Sequence, residues 1–77
     1  MNEKEIQKVN EWFDNNSEYY GTDRADNEYT LNVYDMDSFT DFLDEEFPDL
    51  VYINCRIGSN DSRVWFYRED LENAVFM

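Results

Sequence analysis

The first hydrophobic residues of the chain recur with the spacing of an amphipathic helix. Ile6, Val9 and Phe13 fall on one face of such a helix, and Trp12 lies at the border of that face. Lysine and glutamate occupy the other side, so this segment is nearly neutral. We predict a helix over residues 3–15.

A change of period marks the next element. Tyr29, Leu31 and Val33 alternate with the residues between them, as in a strand that buries one face. This pattern predicts a strand over residues 28–34. Residues 15–27, which are mostly polar, are interpreted as the longest linker of the chain.

The helical period returns in the middle of the chain. Asp37 and Ser38 are both favourable caps for the start of a second helix, and Ser38 with Asp41 resembles a capping box. Pro48 disfavours helical backbone at the preceding residue and therefore ends this helix. The apolar side of the helix consists of Phe39, Phe42, Leu43 and Phe47.

The last third of the chain predicts a hairpin and a short helix. Two strands, over residues 50–57 and 62–68, flank the turn-forming sequence of residues 58–61. A helix over residues 70–76 is expected to pack Leu71, Ala74 and Val75. The order helix, strand, helix, strand, strand, helix predicts an α+β fold, in which two to three helices cover a small antiparallel sheet of about three strands.

The composition is that of one folded domain with a large excess of acid. The 77 residues suffice for a single core, and 42% hydrophobic and 18% aromatic residues are too many for a disordered acidic tail. The chain has 19 Asp and Glu against 6 Lys and Arg, which gives a net charge of −13. A surface of roughly 5,000 Å² then carries about one net negative charge per 400 Å². Such a surface repels phosphates, so we expect a basic protein as partner, with no direct binding of nucleic acid or membrane.

Histidine and cysteine, two residue types that often carry catalysis or bind metals, are scarce. The chain has no histidine, and its single cysteine, Cys55, is in phase with apolar residues of a predicted strand, as expected for a buried structural thiol. Asp35, Asp37 and Glu46 match three positions of an EF-hand loop, but Phe39 stands where a further oxygen ligand belongs, so we interpret the match as coincidental. We therefore predict a protein that is not an enzyme, with no catalytic residues, no metal site and no cofactor.

The sequence also indicates where the protein resides. It contains no stretch close to the ~20 apolar residues that a membrane span requires. Its first residues lack the charged-then-apolar layout of a secretory signal. A single cysteine excludes an internal disulfide and fits a reducing compartment, so we expect a cytoplasmic protein.

The acidic residues are concentrated in the middle of the chain. Residues 25–55 hold nine of them and no lysine or arginine. Along the second helix, carboxylates project opposite the phenylalanine side, and others cluster at its beginning or follow its end. We predict a partner-binding edge formed by Asp35, Asp37, Asp41, Asp44, Glu45 and Asp49. The alternative interpretation is a solvated face that keeps the protein soluble.

The predicted hairpin supplies a second candidate surface. Its turn would place Cys55 opposite Val64 and Ile53 opposite Phe66 on the core side. The reverse side would then carry Tyr52 opposite Tyr67, Asn54 opposite Trp65 and Arg56 opposite Arg63. Because aromatic and arginine side chains favour interaction hot spots, we predict Tyr52, Trp65 and Tyr67 as a secondary interface, or else as a second core covered by another element.

In its size, its net charge and its run of carboxylates from Asp35 to Asp49, the chain resembles the small phage-encoded DNA-mimic inhibitors. These include anti-CRISPR proteins, uracil-DNA glycosylase inhibitors and anti-restriction proteins. The resemblance implies that carboxylates stand in for phosphates and occupy the nucleic-acid groove of a basic target. It implies a nucleic-acid-binding protein or complex as partner, a Cas effector above all, in the cytoplasm of a bacterial host.

Two other functions fit the same composition. An immunity or antitoxin-like protein that plugs a basic toxin would be equally acidic. An interaction module that forms a homodimer through its aromatic sheet face would need the acid only for solubility.

Overall fold

The secondary structure alternates between helices and short strands. The structure, a computed structural model, describes residues 1–20, 28–53, 56–57 and 63–77. In chain order the elements are α1 (Glu3–Asn16), β1 (Glu18–Tyr20), β2 (Glu28–Asn32), α2 (Val33–Glu46), β3 (Leu50–Tyr52), β4 (Arg56–Ile57), β5 (Arg63–Tyr67), α3 (Arg68–Glu72) and β6 (Val75–Phe76). These elements confirm the predicted α+β class with antiparallel pairing.

The first helix forms where its hydrophobic spacing predicts it. Asn2 and Glu5 cap its start reciprocally: the Asn2 side-chain oxygen accepts from the Glu5 amide at 2.9 Å, and the Glu5 carboxylate accepts from the Asn2 amide at 2.8 Å. Ile6, Val9 and Phe13 are buried, as their shared face requires.

The second helix begins four to five residues before the predicted start. The strand prediction over residues 28–34 is therefore wrong at its end, and Asp37 and Ser38 are not the caps. Asn32 caps α2 instead, because its side-chain oxygen accepts from the Asp35 amide at 2.9 Å.

Packing explains why α2 extends so far towards the N-terminus. Met36 lies one turn before Phe39 and packs against the core, so the apolar stripe continues by one turn. Val33, expected on the core side of a strand, is 50% exposed on the first turn of the helix.

The larger sheet has the strand order β1-β2-β5-β4 within the described residues, and every pairing is antiparallel. β1 lies in the segment that we interpret as a linker from sequence, and it pairs with β2 from Glu18 opposite Thr30 to Tyr20 opposite Glu28. The linker interpretation is therefore wrong for residues 18–20. β2 is a central strand, and Tyr29, Thr30 and Leu31 are all buried on it.

The predicted hairpin is divided between two sheets. β3 pairs with β6, with Leu50 opposite Phe76, so the continuous strand predicted over residues 50–57 is wrong. Leu50 and Phe76 both pack against the core, and the Met77 amide donates to the Asp49 carbonyl at 2.9 Å. Apolar packing of the chain end thus takes β3 away from β5. The predicted turn at residues 58–61, Asn54 and Cys55, whose thiol we expect to be buried, lie outside the described residues.

The last helix is shorter than predicted and begins earlier. α3 starts where the Tyr67 amide donates to the Asp70 carboxylate at 2.9 Å, and it ends at Glu72, since the following residues form β6. Leu71 is buried as expected, whereas Val75 is 40% exposed on β6. The amino group of Met1 donates to the carbonyl of Leu71 at 3.1 Å, which joins the start of α1 to the end of α3.

The core lies between α1, α2 and one face of the larger sheet. It is a continuous stack of rings, with Phe13, Tyr29, Phe39 and Phe66 at centroid separations of 4.3–5.8 Å. The hydroxyl of the buried Tyr29 bonds to the side-chain oxygen of Asn10, which links β2 to α1. Each fully buried ring contributes about 1.5–3 kcal/mol through burial, so this stack dominates the stability.

Candidate binding face on the second helix

Four carboxylates lie on the side of α2 that faces away from the core. Since Phe39 and Leu43 are buried, residues spaced from them by half a helical turn point outward, and there the four acids are exposed. We call Asp37, Asp41, Asp44 and Glu45 the acidic face. At 1.5 Å of rise per residue it extends over roughly 12 Å of the helix axis.

The acidic face has no ion-pair partner among the described residues. The cation that reaches α2 there is Lys8, whose ammonium lies 3.2 Å from the Glu46 carboxylate, on the flank that faces α1. The second described ion pair, between Arg68 and Glu72, lies within α3. No cation of the described residues thus compensates the charges of the acidic face.

The other two predicted acids lie apart from this face. Asp35 is half-buried on the first turn of α2, four residues before Phe39 and thus on the same flank of the helix. Asp49 is exposed beyond the end of α2 and precedes β3 of the two-stranded sheet. Its backbone carbonyl accepts from the Met77 amide, which follows β6. The structure therefore brings four of the six predicted acids together.

Sequence reasoning missed an aromatic residue beside the acidic face. Tyr34 is 84% exposed and lies three residues before Asp37 and seven before Asp41, on the same side of α2. The alternating pattern placed it in a strand, so only the earlier start of the helix reveals it. Exposed tyrosines are common anchors of protein interfaces.

The end of α2 carries negative charge where a helix favours positive charge. Asp44, Glu45 and Glu46 occupy its last turn, which contains no basic residue. The carbonyl groups at a helix C-terminus attract cations and repel carboxylates. By contrast, Asp35 and Asp37 lie near the N-terminus, where the same dipole is favourable. Two of the four residues of the acidic face, Asp44 and Glu45, therefore destabilise α2.

The predicted aromatic surface is not assembled as expected. Trp65 is paired with Arg56 and Thr30, while Tyr67 is paired with Glu28, and Tyr52 lies in the separate β3–β6 sheet. The predicted pairings of Tyr52 with Tyr67 and of Arg56 with Arg63 are therefore wrong. Trp65 and Tyr67 are half-buried on the sheet face opposite Phe66, and their role as an interface remains a prediction.

Neither a metal site nor a membrane-spanning helix is found in the described part of the chain. There, no three His, Cys, Asp or Glu side chains are placed to hold a metal ion. No helix in the described ranges has the length and apolar character to cross a membrane. Comparisons of the chain with protein families, with curated proteins and with solved structures found no match. The function therefore has to be inferred from the residues themselves.

Proposed function

We propose that the protein is an inhibitor that binds a basic, nucleic-acid-binding protein through the acidic face of α2. The observation that carries the proposal is the set of four exposed carboxylates that form no ion pair with the described residues, two of them in the last turn of the helix. Acids in that turn weaken the helix, so solubility alone does not explain why they are there. A partner with basic side chains would compensate them.

The spacing of these charges suits a surface that normally holds nucleic acid. The axial steps between successive carboxylates are about 6, 4.5 and 1.5 Å, which average about 4 Å, and one DNA strand carries one phosphate per ~3.4 Å of helix axis. Arginines and lysines that line a groove for phosphates would therefore meet carboxylates at a similar mean density. Charge complementarity of this kind gives fast association that weakens with salt.

The resemblance to phage-encoded DNA mimics supplies the specific form of the proposal, in which the target is a Cas effector. The protein would occupy the positively charged channel that holds the nucleic acid of the effector. Neither catalysis nor a cofactor is required, since inhibition follows from occupancy alone.

Reversal of the acidic face tests the proposal. The immobilised protein is compared with its Asp41→Lys, Asp44→Lys, Glu45→Lys variant for capture of purified basic nucleic-acid-binding proteins, Cas effectors among them. We expect the target of the unmodified protein to be lost by the variant. Added duplex DNA should displace the target from the unmodified protein, and the displaced fraction should rise with the DNA concentration.

A matched control separates the acidic face from net charge. Reversal of Glu3, Asp14 and Glu69, which are exposed on α1 and α3, changes the net charge by the same amount away from α2. This control should retain the target. Mimicry is wrong if both triple variants lose the target equally, or if DNA and the protein occupy the target together. A Trp65→Ala variant that loses the target while the reversal retains it would favour the sheet face instead.

A further inference from the structure

A groove of about 330 Å³ runs between α1 and α2, along the flank next to the acidic face. Its apolar wall consists of Trp12 and Phe42, which are both half-buried and stack at 5.7 Å between ring centroids with 24° between their planes. Its volume is at the lower end of the about 300–1,000 Å³ of small-molecule sites, and it is open to solvent where such sites enclose their ligand, so it suits a single inserted side chain better than a separate ligand.

Hydrogen-bond acceptors dominate the polar lining of the groove. Asn15 and Asn16 each turn the amide nitrogen back onto the helix, 2.9 Å from the carbonyls of Glu11 and Trp12, which leaves the side-chain oxygens as acceptors. The carboxylate of Glu11 also lines the groove and forms no ion pair within the described residues.

The donors of the groove are fewer and partly occupied. The ammonium of Lys8 already lies 3.2 Å from Glu46, and the other side-chain donor with a fixed direction is the indole N–H of Trp12. The Lys8–Glu46 contact shows that this flank accepts a cation from the chain itself. Glu11 and the two asparagine oxygens remain for a cation from outside.

We propose that the groove binds an arginine side chain of the basic partner, which extends the proposed function and depends on it. A guanidinium group is planar, presents five N–H donors and stacks on aromatic faces. It therefore matches the Trp12 ring together with the acceptors of Glu11, Asn15 and Asn16. An ammonium group is a compact, strongly hydrated charge and matches only the carboxylate.

The test uses capped hexa-arginine and hexa-lysine peptides, which carry equal charge. Trp65→Phe leaves Trp12 as the single tryptophan of the chain, since the sequence contains two. We expect hexa-arginine to bind about fivefold more tightly than hexa-lysine and to shift the Trp12 emission, as cation–π stacking predicts. Hexa-lysine should bind with little change in emission.

Two isosteric variants separate the groove from the acidic face. Glu11→Gln should remove most of the preference for arginine, whereas Asp41→Asn should weaken both peptides by the same factor and leave their ratio unchanged. Equal affinities for the two peptides, or a ratio insensitive to Glu11→Gln, would overturn the arginine site while leaving the basic partner intact. If neither peptide binds, the proposed function fails together with the site.

Discussion

Phe39 shows how far the stability of this small domain depends on single aromatic residues. Its ring lies 5.1–5.5 Å from the rings of Trp12, Phe13 and Phe66, so it joins α1, α2 and the sheet. Proteins of this size are stable by only a few kcal/mol. One buried ring therefore accounts for a large share of the free energy of unfolding.

We predict that Phe39→Ala costs about 3–5 kcal/mol and leaves the protein largely unfolded at room temperature, since it removes a fully buried ring. Tyr34→Ala, on the same helix but 84% exposed, should change the free energy of unfolding by less than about 0.5 kcal/mol. Urea unfolding followed by circular dichroism measures both. Similar losses in the two variants would contradict the position of α2.

The start of α2 gives a second prediction at this scale. Asn32→Ala should cost about 1 kcal/mol, because it removes the oxygen that accepts from the Asp35 amide. Ser38→Ala should have no such cost, since Ser38 lies inside the helix, where alanine is favourable. Thermal unfolding of the two variants decides between the two caps. If Ser38 capped the helix, as predicted from sequence, Ser38→Ala would lower the stability more than Asn32→Ala.

Single core residues could be predicted because large apolar side chains at regular spacing form one face, and burial of that face is strongly favourable. Ile6, Phe13 and Leu71 are buried as their patterns require. Val33 and Val75 are predicted from sequence to be buried, but both are exposed. Each lies in a different type of element from the one that its pattern predicts, Val33 in α2 and Val75 in β6. Periodicity identifies a face only after the type of element is known.

At the scale of elements, α2 carries charges that oppose its own stability. Asp37 and Asp41, Asp41 and Asp44, and Asp41 and Glu45 are like-charged neighbours at helical spacing. Each such pair costs roughly 0.2–0.5 kcal/mol. The helix forms despite the acidic face because its other side is buried.

We therefore predict that Asp41→Asn, Asp44→Asn, Glu45→Gln raises the free energy of unfolding by about 1 kcal/mol at low salt while it weakens binding to the basic partner. Urea unfolding and a binding titration on the same samples test this opposite response. A variant that is both less stable and weaker in binding would show that these carboxylates have a structural role.

Asp41, Asp44 and Glu45 could be placed on the acidic face for the same reason as the core side of α2: the phenylalanine stripe fixes which residues lie opposite. Asp35, Asp37 and Asp49 could not be placed, because their positions depend on where the helix begins and on how the chain continues past Pro48. Pairings distant in sequence, such as Leu50 with Phe76, leave no local signal. β1 has only three residues, and it forms a strand by pairing with β2, so its own sequence contains no periodic pattern that predicts it.

At the scale of the whole molecule, net charge acts over its full width. The molecule measures 32 × 26 × 21 Å, and the Debye length is about 30 Å at 0.01 M ionic strength. Every acid then repels every other, whereas at 0.15 M the range of about 8 Å limits repulsion to neighbours. Salt should therefore stabilise the fold.

We predict that Tm rises by about 4–8 °C between 0.01 M and 0.5 M NaCl, which corresponds to about 1 kcal/mol for a domain of this size. Affinity for the basic partner should fall over the same range. Differential scanning fluorimetry gives the change of Tm with salt concentration, and a salt series of binding titrations gives the change of affinity. A Tm that does not depend on salt would show that self-repulsion is negligible.

The absence of any described ion pair at the acidic face has a consequence for how the protein changes over generations. Folding does not require Asp37, Asp41, Asp44 or Glu45, so a mutation there leaves the fold intact and can even stabilise it. The buried rings on the other side of α2 have no such freedom. Under the proposed function, selection for binding would thus be able to alter the acidic face residue by residue, and each intermediate sequence would still fold.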